Sequence, residues 1–260
     1  MKRKKNQNKR NKRLFTIATI LLLFIFSVSV FMVGKELIQS KKEQDAFKDL
    51  TTIVEQSNNK NDNTNTNIEE LKPNYDELYT MNNDFIGWLS IPNTKVDYPV
   101  MYTPNEPEYY LRRGFDKTYF QSGTPFIGEN CTIDSDCLII YGHNMKNGSM
   151  FAQLKKFSSN SDTYEKSKYF WIFTPEKNYR YEIISAYTTG AKSDTYTLFK
   201  GPGEEFQEYL KKIRGYSEIQ TDAGDLTVKD KIVTLSTCTG NQATRYVVQG
   251  KRVDALDGTQ

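Results

Sequence analysis

Hydrophobic and polar positions divide the chain into three regimes. Residues 14–34, LFTIATILLLFIFSVSVFMVG, hold no charge at all. A helix rising ~1.5 Å per residue needs roughly 20 such residues to cross a bilayer, so this stretch predicts a transmembrane span. Residues 35–56 place Leu37, Ile38, Phe47, Leu50, Ile53 and Val54 among many charges, which predicts a weakly amphipathic helix. The run SNNKNDNTNTN, 57–67, is wholly polar and predicts a flexible linker, so that 35–67 reads as a stalk. From residue 68 a folded domain is expected, opening with one or two short helices in IEELKPNYDELYTMN, where Pro73 suits a helix start.

Beyond Asn83 the period changes. FIGWLSI, KVDYPVM, GTPFIG, CLIIYG, YFWIFT, RYEIISAYT, KIVTLSTC and RYVVQGKRV are short β-rich runs separated by turn residues. Helical patterns interrupt them at SMFAQLKKF and GEEFQEYLKKIRG. Many short strands with few helices predict a mainly β fold, a closed or nearly closed barrel with helical insertions.

Charge changes the picture at one end only. Residues 1–13 hold eight of the 35 Lys and Arg and no acid, leaving 27 basic against 32 acidic residues in the remainder. The basic character therefore belongs to a terminal tail and does not describe a nucleic-acid-binding face. Set before an apolar span, that tail predicts a cytoplasmic N-terminus, residues 1–13, and a domain facing outward. The exit Phe31-Met32-Val33-Gly34-Lys35 is a poor cleavage site, so 14–34 reads as an uncleaved signal anchor.

Candidate chemistry rests on three cysteines and a single histidine. An odd cysteine count outside the cytoplasm leaves at least one thiol free or paired between molecules. Cys238 ends an apolar strand just before a Gly-containing turn, which sets it at a barrel rim. By itself such a cysteine more often packs as a small hydrophobe. His143 follows another strand in the same way, and it is the one imidazole available to that thiol. Arg245 opens the strand after the loop TGNQAT, and an antiparallel return would bring it beside Cys238. A guanidinium is a permanent cation with fixed donors, suited to an oxyanion and to a neighbouring thiolate. Cys131, Cys137 and His143 are too widely spaced for an ordinary zinc knuckle, and no acidic cluster argues for calcium. No metal and no cofactor is expected. For Cys131 and Cys137 a disulfide and two incidental thiols both remain open.

With these residues placed, the chain resembles a class B sortase from about Asn74 to Val253. The resemblance is carried by LSTC at 235–238 with Arg245 on the next strand, and by YGHNMKNGSMFAQL at 141–154. NDFIGWLSIPNTKVDYPVM at 83–101 and YYLRRGF at 109–115 extend it. It implies an eight-stranded sortase-type barrel over 68–260, with N-terminal helices and a helix inserted between late strands. It also implies a Gram-positive cell-surface transpeptidase whose partners are secreted surface proteins bearing a C-terminal sorting pentapeptide. Cys238 would attack the carbonyl of a Thr in that signal, and Arg245 with a backbone N–H of Thr239 would hold the oxyanion. His143 would protonate the leaving amine and deprotonate the incoming one, an amine of peptidoglycan or of a pilin subunit. Ser236, Thr237, Thr239 and Asn144 are candidate groove residues, with Tyr196 a weaker one. Arg252 is the next basic candidate should Arg245 be displaced. Two other readings use the same residues: a cysteine peptidase with water as acceptor, and a non-catalytic anchored barrel.

Overall fold

A computed structural model describes residues 2–59, 74–159 and 161–253. Its contacts divide the chain into residues 1–45 and 46–260. The first unit belongs to helix α1, Lys2–Asn59, the one helix among the described residues long and apolar enough to cross a membrane. Its apolar stretch is exposed, from Leu14 to Val33.

The second unit is built on eight strands: β1 Phe85–Ser90, β2 Asp97–Met101, β3 Phe126–Ile127, β4 Cys137–Tyr141, β5 Tyr169–Phe173, β6 Asn178–Gly190, β7 Ile232–Cys238 and β8 Thr244–Val253. They close into a barrel in the order β1-β2-β3-β4-β7-β8-β6-β5, which is the expected architecture. Closure leaves no sheet edge to pair with another chain. Every predicted strand run overlaps one of these strands, with β6 and β8 extending beyond their runs. Inward positions alternate along them, and Leu89, Val100, Ile140, Phe170, Ile172, Tyr181, Leu235 and Val248 form the interior with almost no exposure.

Helices cap and flank the barrel. Helix α2, Tyr75–Met81, is capped by Asn74, whose side chain accepts from the Glu77 amide. The run SMFAQLKKF forms a 3₁₀ turn, Phe151–Lys155, followed by the short α3, Lys156–Ser159, and then α4, Ser161–Lys166. Helix α5, Glu204–Gly215, is the predicted insertion between late strands. Phe206, Tyr209, Leu210 and Ile213 recur at helical spacing and pack on Cys137, Ile184 and Ile232 in a second core outside the barrel. Burying each of these large side chains contributes about 1.5–3 kcal/mol. Glu204 and Glu205 in its first turn, and Lys212 and Arg214 in its last, complement the helix dipole.

The contact boundary differs from the expected stalk. Phe47, Leu50 and Val54, expected to leave the membrane as part of 35–67, join the barrel's core. Their i, i+3, i+7 spacing makes one apolar stripe, and Phe47 meets the rings of Tyr98 and Phe120 edge-on at 5.4 and 5.9 Å. Ser57–Asn59 continue the helix, while 60–67 and Pro73 lie outside the described residues.

Candidate active site

Strands β4 and β7 run parallel, with Tyr141 opposite Ser236. Both therefore end at the same rim, and two more residues along each lie His143 and Cys238. The rim is tied together: the Gly142 amide donates to the Ser236 carbonyl (3.1 Å) and Thr237 Oγ1 to the Gly142 carbonyl (2.7 Å). Asn144 Nδ2 donates to the carbonyl of Cys238 itself (2.8 Å). Gly142 is required there, because a Cβ would stand 2.7 Å from the Phe151 ring.

Strand β8 returns antiparallel from β7 and makes Arg245 the register partner of Cys238. On its other side, β6 sets Thr189 opposite Arg245. The turn between β7 and β8 needs a positive φ at Gly240 (94°) and is held by an Ala243 amide to Asn241 Oδ1 bond (2.9 Å). Arg245 Nη1 donates to the Gln242 and Thr244 carbonyls at 2.8 and 3.0 Å, fixing the guanidinium over its own turn. Lys155 Nζ reaches the Thr239 carbonyl at 3.4 Å. Arg252 lies seven residues from Arg245, roughly 24 Å along an extended strand. There it bonds Tyr181 and the Ile133 carbonyl (2.7 Å) and stacks 3.9 Å over Tyr179. Its role is to pin the far end of the barrel.

His143 Nε2 lies 2.8 Å from the Leu111 carbonyl. A carbonyl only accepts, so Nε2 carries a proton and Nδ1 is the free nitrogen of the neutral ring. Burial lowers the imidazole's pKa, and the Arg112 charge lowers it further, while the Leu111 bond opposes both. Tyr196 Oη lies 2.9 Å from Ser236 Oγ, and its ring stacks on Tyr141 with centroids 6.3 Å apart. Burial raises the Tyr196 pKa; the Ser236 bond and Arg245 oppose that rise, and Cys238 adds to it. The hydroxyl thus lies within electrostatic reach of both Cys238 and Arg245.

All three cysteines are free thiols. Cys238 is half-buried, whereas Cys131 and Cys137 are buried and their thiol pKa values are pushed up by burial, that of Cys137 to about 12. Among the described residues no group of three or more His, Cys, Asp or Glu could hold a metal ion.

The arrangement thus gathers His143, Cys238, Arg245, Ser236, Thr237, Thr239, Asn144 and Tyr196 at one rim. Sequence reasoning missed Leu111, Arg112, Lys155 and Thr189. Leu111 acts through its backbone, so its residue type carries no signal, although YYLRRGF stood out as a motif. Thr189 could have been found by counting strand register from Arg245.

A half-buried cysteine, its arginine register partner and an imidazole at the same β-barrel rim fit thiol acyl-transfer chemistry. A family model described as the sortase domain matches residues 89–253. The chain belongs to the sortase family, the cysteine transpeptidases, and its relatives are of class B. Sortase B of Listeria monocytogenes is 32% identical over 244 residues, covering 90% of this chain and 95% of that protein. Sortase B of Staphylococcus aureus is 27% identical over 231 residues, covering 88% and 91%. The solved complex of Staphylococcus aureus sortase B with substrate superposes with a TM-score of 0.73 at 26% identity, covering 84% of this chain and 99% of that one. The structure of Clostridium perfringens sortase B gives 0.64 at 31% identity, covering 69% and 99%.

Proposed function

We propose that this chain is a membrane-anchored sortase that joins secreted proteins to a cell-surface amine, with Cys238 as nucleophile. The carrying observation is the register of β7 and β8, which pairs Cys238 with Arg245 at the rim where β4 delivers His143. The Cys238 thiolate attacks the carbonyl carbon of a Thr in the sorting signal. The oxyanion is held by Arg245 and by the Thr239 amide. His143 gives a proton to the departing amine as the C–N bond breaks, leaving a thioester. An incoming amine then loses its proton to His143, forms the new amide and releases the thiolate. Tyr196 walls the groove beside the thiol, standing over the buried Ser236 hydroxyl, with Thr237 and Asn144 beneath.

The acceptor is an amine of peptidoglycan or of a pilin subunit. A structure of sortase B complexed with triglycine, at a TM-score of 0.73 and 25% identity, supports an amine-bearing acceptor. The apolar stretch of α1 anchors the enzyme, and the basic tail keeps the N-terminus cytoplasmic so that the barrel faces outward.

Incubation with a sorting-signal peptide tests the assignment by intact mass. Wild-type protein is expected to gain the acyl fragment as a thioester, and Cys238→Ala to gain nothing. An adduct of unchanged yield in Cys238→Ala overturns it. Exclusive hydrolysis in the presence of every amine tried assigns the chain to a cysteine peptidase instead.

A further inference from the structure

The outer surface of β6, β8 and β7 is a ladder of three rungs. Register aligns Ser185–Gln249–Thr234, then Tyr187–Val247–Ser236, then Thr189–Arg245–Cys238. Residues two apart on a strand share a face, so all nine belong to one surface. The last rung is the reacting one. The first is sealed beneath α5, where Gln249 and Ser185 have no exposure.

Gln249 is the hub of that sealed end. Its Nε2 donates to Thr234 Oγ1 (2.9 Å) and Tyr209 Oη (3.2 Å), and its Oε1 accepts from Ser185 (2.9 Å) and Tyr187 (3.1 Å). The amide therefore uses both its donors and both its acceptor sites. Tyr209 and Tyr187 carry the network outward: Tyr209 donates to the Thr195 carbonyl (3.0 Å), and the Tyr187 hydroxyl lies 3.1 Å from Thr195 Oγ1. Thr195 is the buried centre of the 3₁₀ turn Asp194–Tyr196. The next residue is Tyr196, bonded to Ser236.

We propose that Gln249 is a positioning residue for substrate binding: through Tyr187 and Tyr209 it locks the Asp194–Tyr196 turn, and so sets where the Tyr196 wall of the groove stands relative to Cys238. The inference rests on the proposed function for the groove, though not for the lock itself. A turn held only by its own short bonds opens readily; one bonded at both the side chain and the carbonyl of Thr195 is held to the barrel. Buried networks of this kind fix geometry because any lost partner strands another polar group.

The test compares Gln249→Met, of similar length but without the amide, with Tyr196→Phe and the double variant. In Gln249→Met, backbone amides of 194–197 are expected to exchange with deuterium faster, while those of β7 keep their protection. KM for the sorting peptide is expected to rise about fivefold, the size of one net hydrogen bond, with kcat nearly unchanged. Because both act through one wall, the double variant is expected to match the larger single effect; additive effects would make Gln249 merely structural. Unchanged exchange at 194–197 overturns the proposal even if no peptide is ever captured. Where Gln249→Met does not fold, Tyr187→Phe, which removes the hydroxyl that joins Gln249 Oε1 to Thr195 Oγ1, is put through the same measurements, and the same outcomes decide.

Discussion

The two ends of the outer β6–β8–β7 surface are made of similar residues and behave in opposite ways. At the Gln249 end every amide, hydroxyl and carbonyl named above is spent on another buried group, and α5 closes over them. At the Cys238 end the cysteine is half-buried rather than sealed, and Arg245 commits Nη1 to its own turn while its remaining donors find no partner among the described residues. A sheet surface with all its polar groups paired is scaffold. One that holds a charge and a thiol in place yet unpaired is ready for a ligand, and pre-placed dipoles of that kind would need no reorganisation in the proposed reaction.

The sharpest way to separate the ends is thiol chemistry. Iodoacetamide is expected to alkylate Cys238 in the folded protein while Cys131 and Cys137 wait for local opening, a contrast on the order of a thousandfold. Peptide mapping after brief labelling measures it, with all three sites reacting once the chain is unfolded. Equal labelling of the three in the folded protein would erase the distinction between rim and interior. Next in size is the pair of arginines on β8. Arg245→Lys keeps the charge and loses the planar fork, so kcat is expected to fall about 100-fold with KM little changed. Arg252→Lys, at the far end of β8 over Tyr179 and Tyr181, is expected to lower the melting temperature and leave kcat alone. If both variants lose kcat equally, the open end has no special claim on Arg245.

The open end of this contrast was legible in the sequence. The short loop TGNQAT between KIVTLSTC and RYVVQGKRV implied that an antiparallel return would bring Arg245 beside Cys238, and they are register partners. The barrel was legible because its strands are rich in β-branched and aromatic residues bounded by turns. Which residues cover a strand's outer face was not. Gln249 reads as a polar interruption in an apolar strand, and only the docking of α5 turns it into a buried hub. Leu111 escaped because the group that meets His143 is a carbonyl every residue owns. Phe47, Leu50 and Val54 looked like a stalk because a stripe of three apolar residues does not say what it packs against.

The smallest effect lies at the edge of the open end, where Arg112 bears on His143. Its charge and the burial of the ring both favour neutral imidazole, so the folded value lies below the ordinary one near 6.5. Two consequences have definite signs. For stability, the unfolded chain takes up the proton first as pH falls below about 6.5, so acidification weakens the fold until the lower folded value is reached. For catalysis, a donor to the leaving amine must be imidazolium, and a depressed value thins that form at neutral pH. Arg112→Gln removes a like charge from an exposed position, so the His143 value is expected to rise. The acid limb of the kcat/KM profile then moves to higher pH, and activity at neutral pH grows about twofold, the scale of one screened surface interaction. The Gln side chain leaves the Leu111 carbonyl in place, so a profile that does not move would mean that Leu111 and burial alone set the histidine. A move to lower pH would mean that Arg112 acts on the site by some route other than its charge.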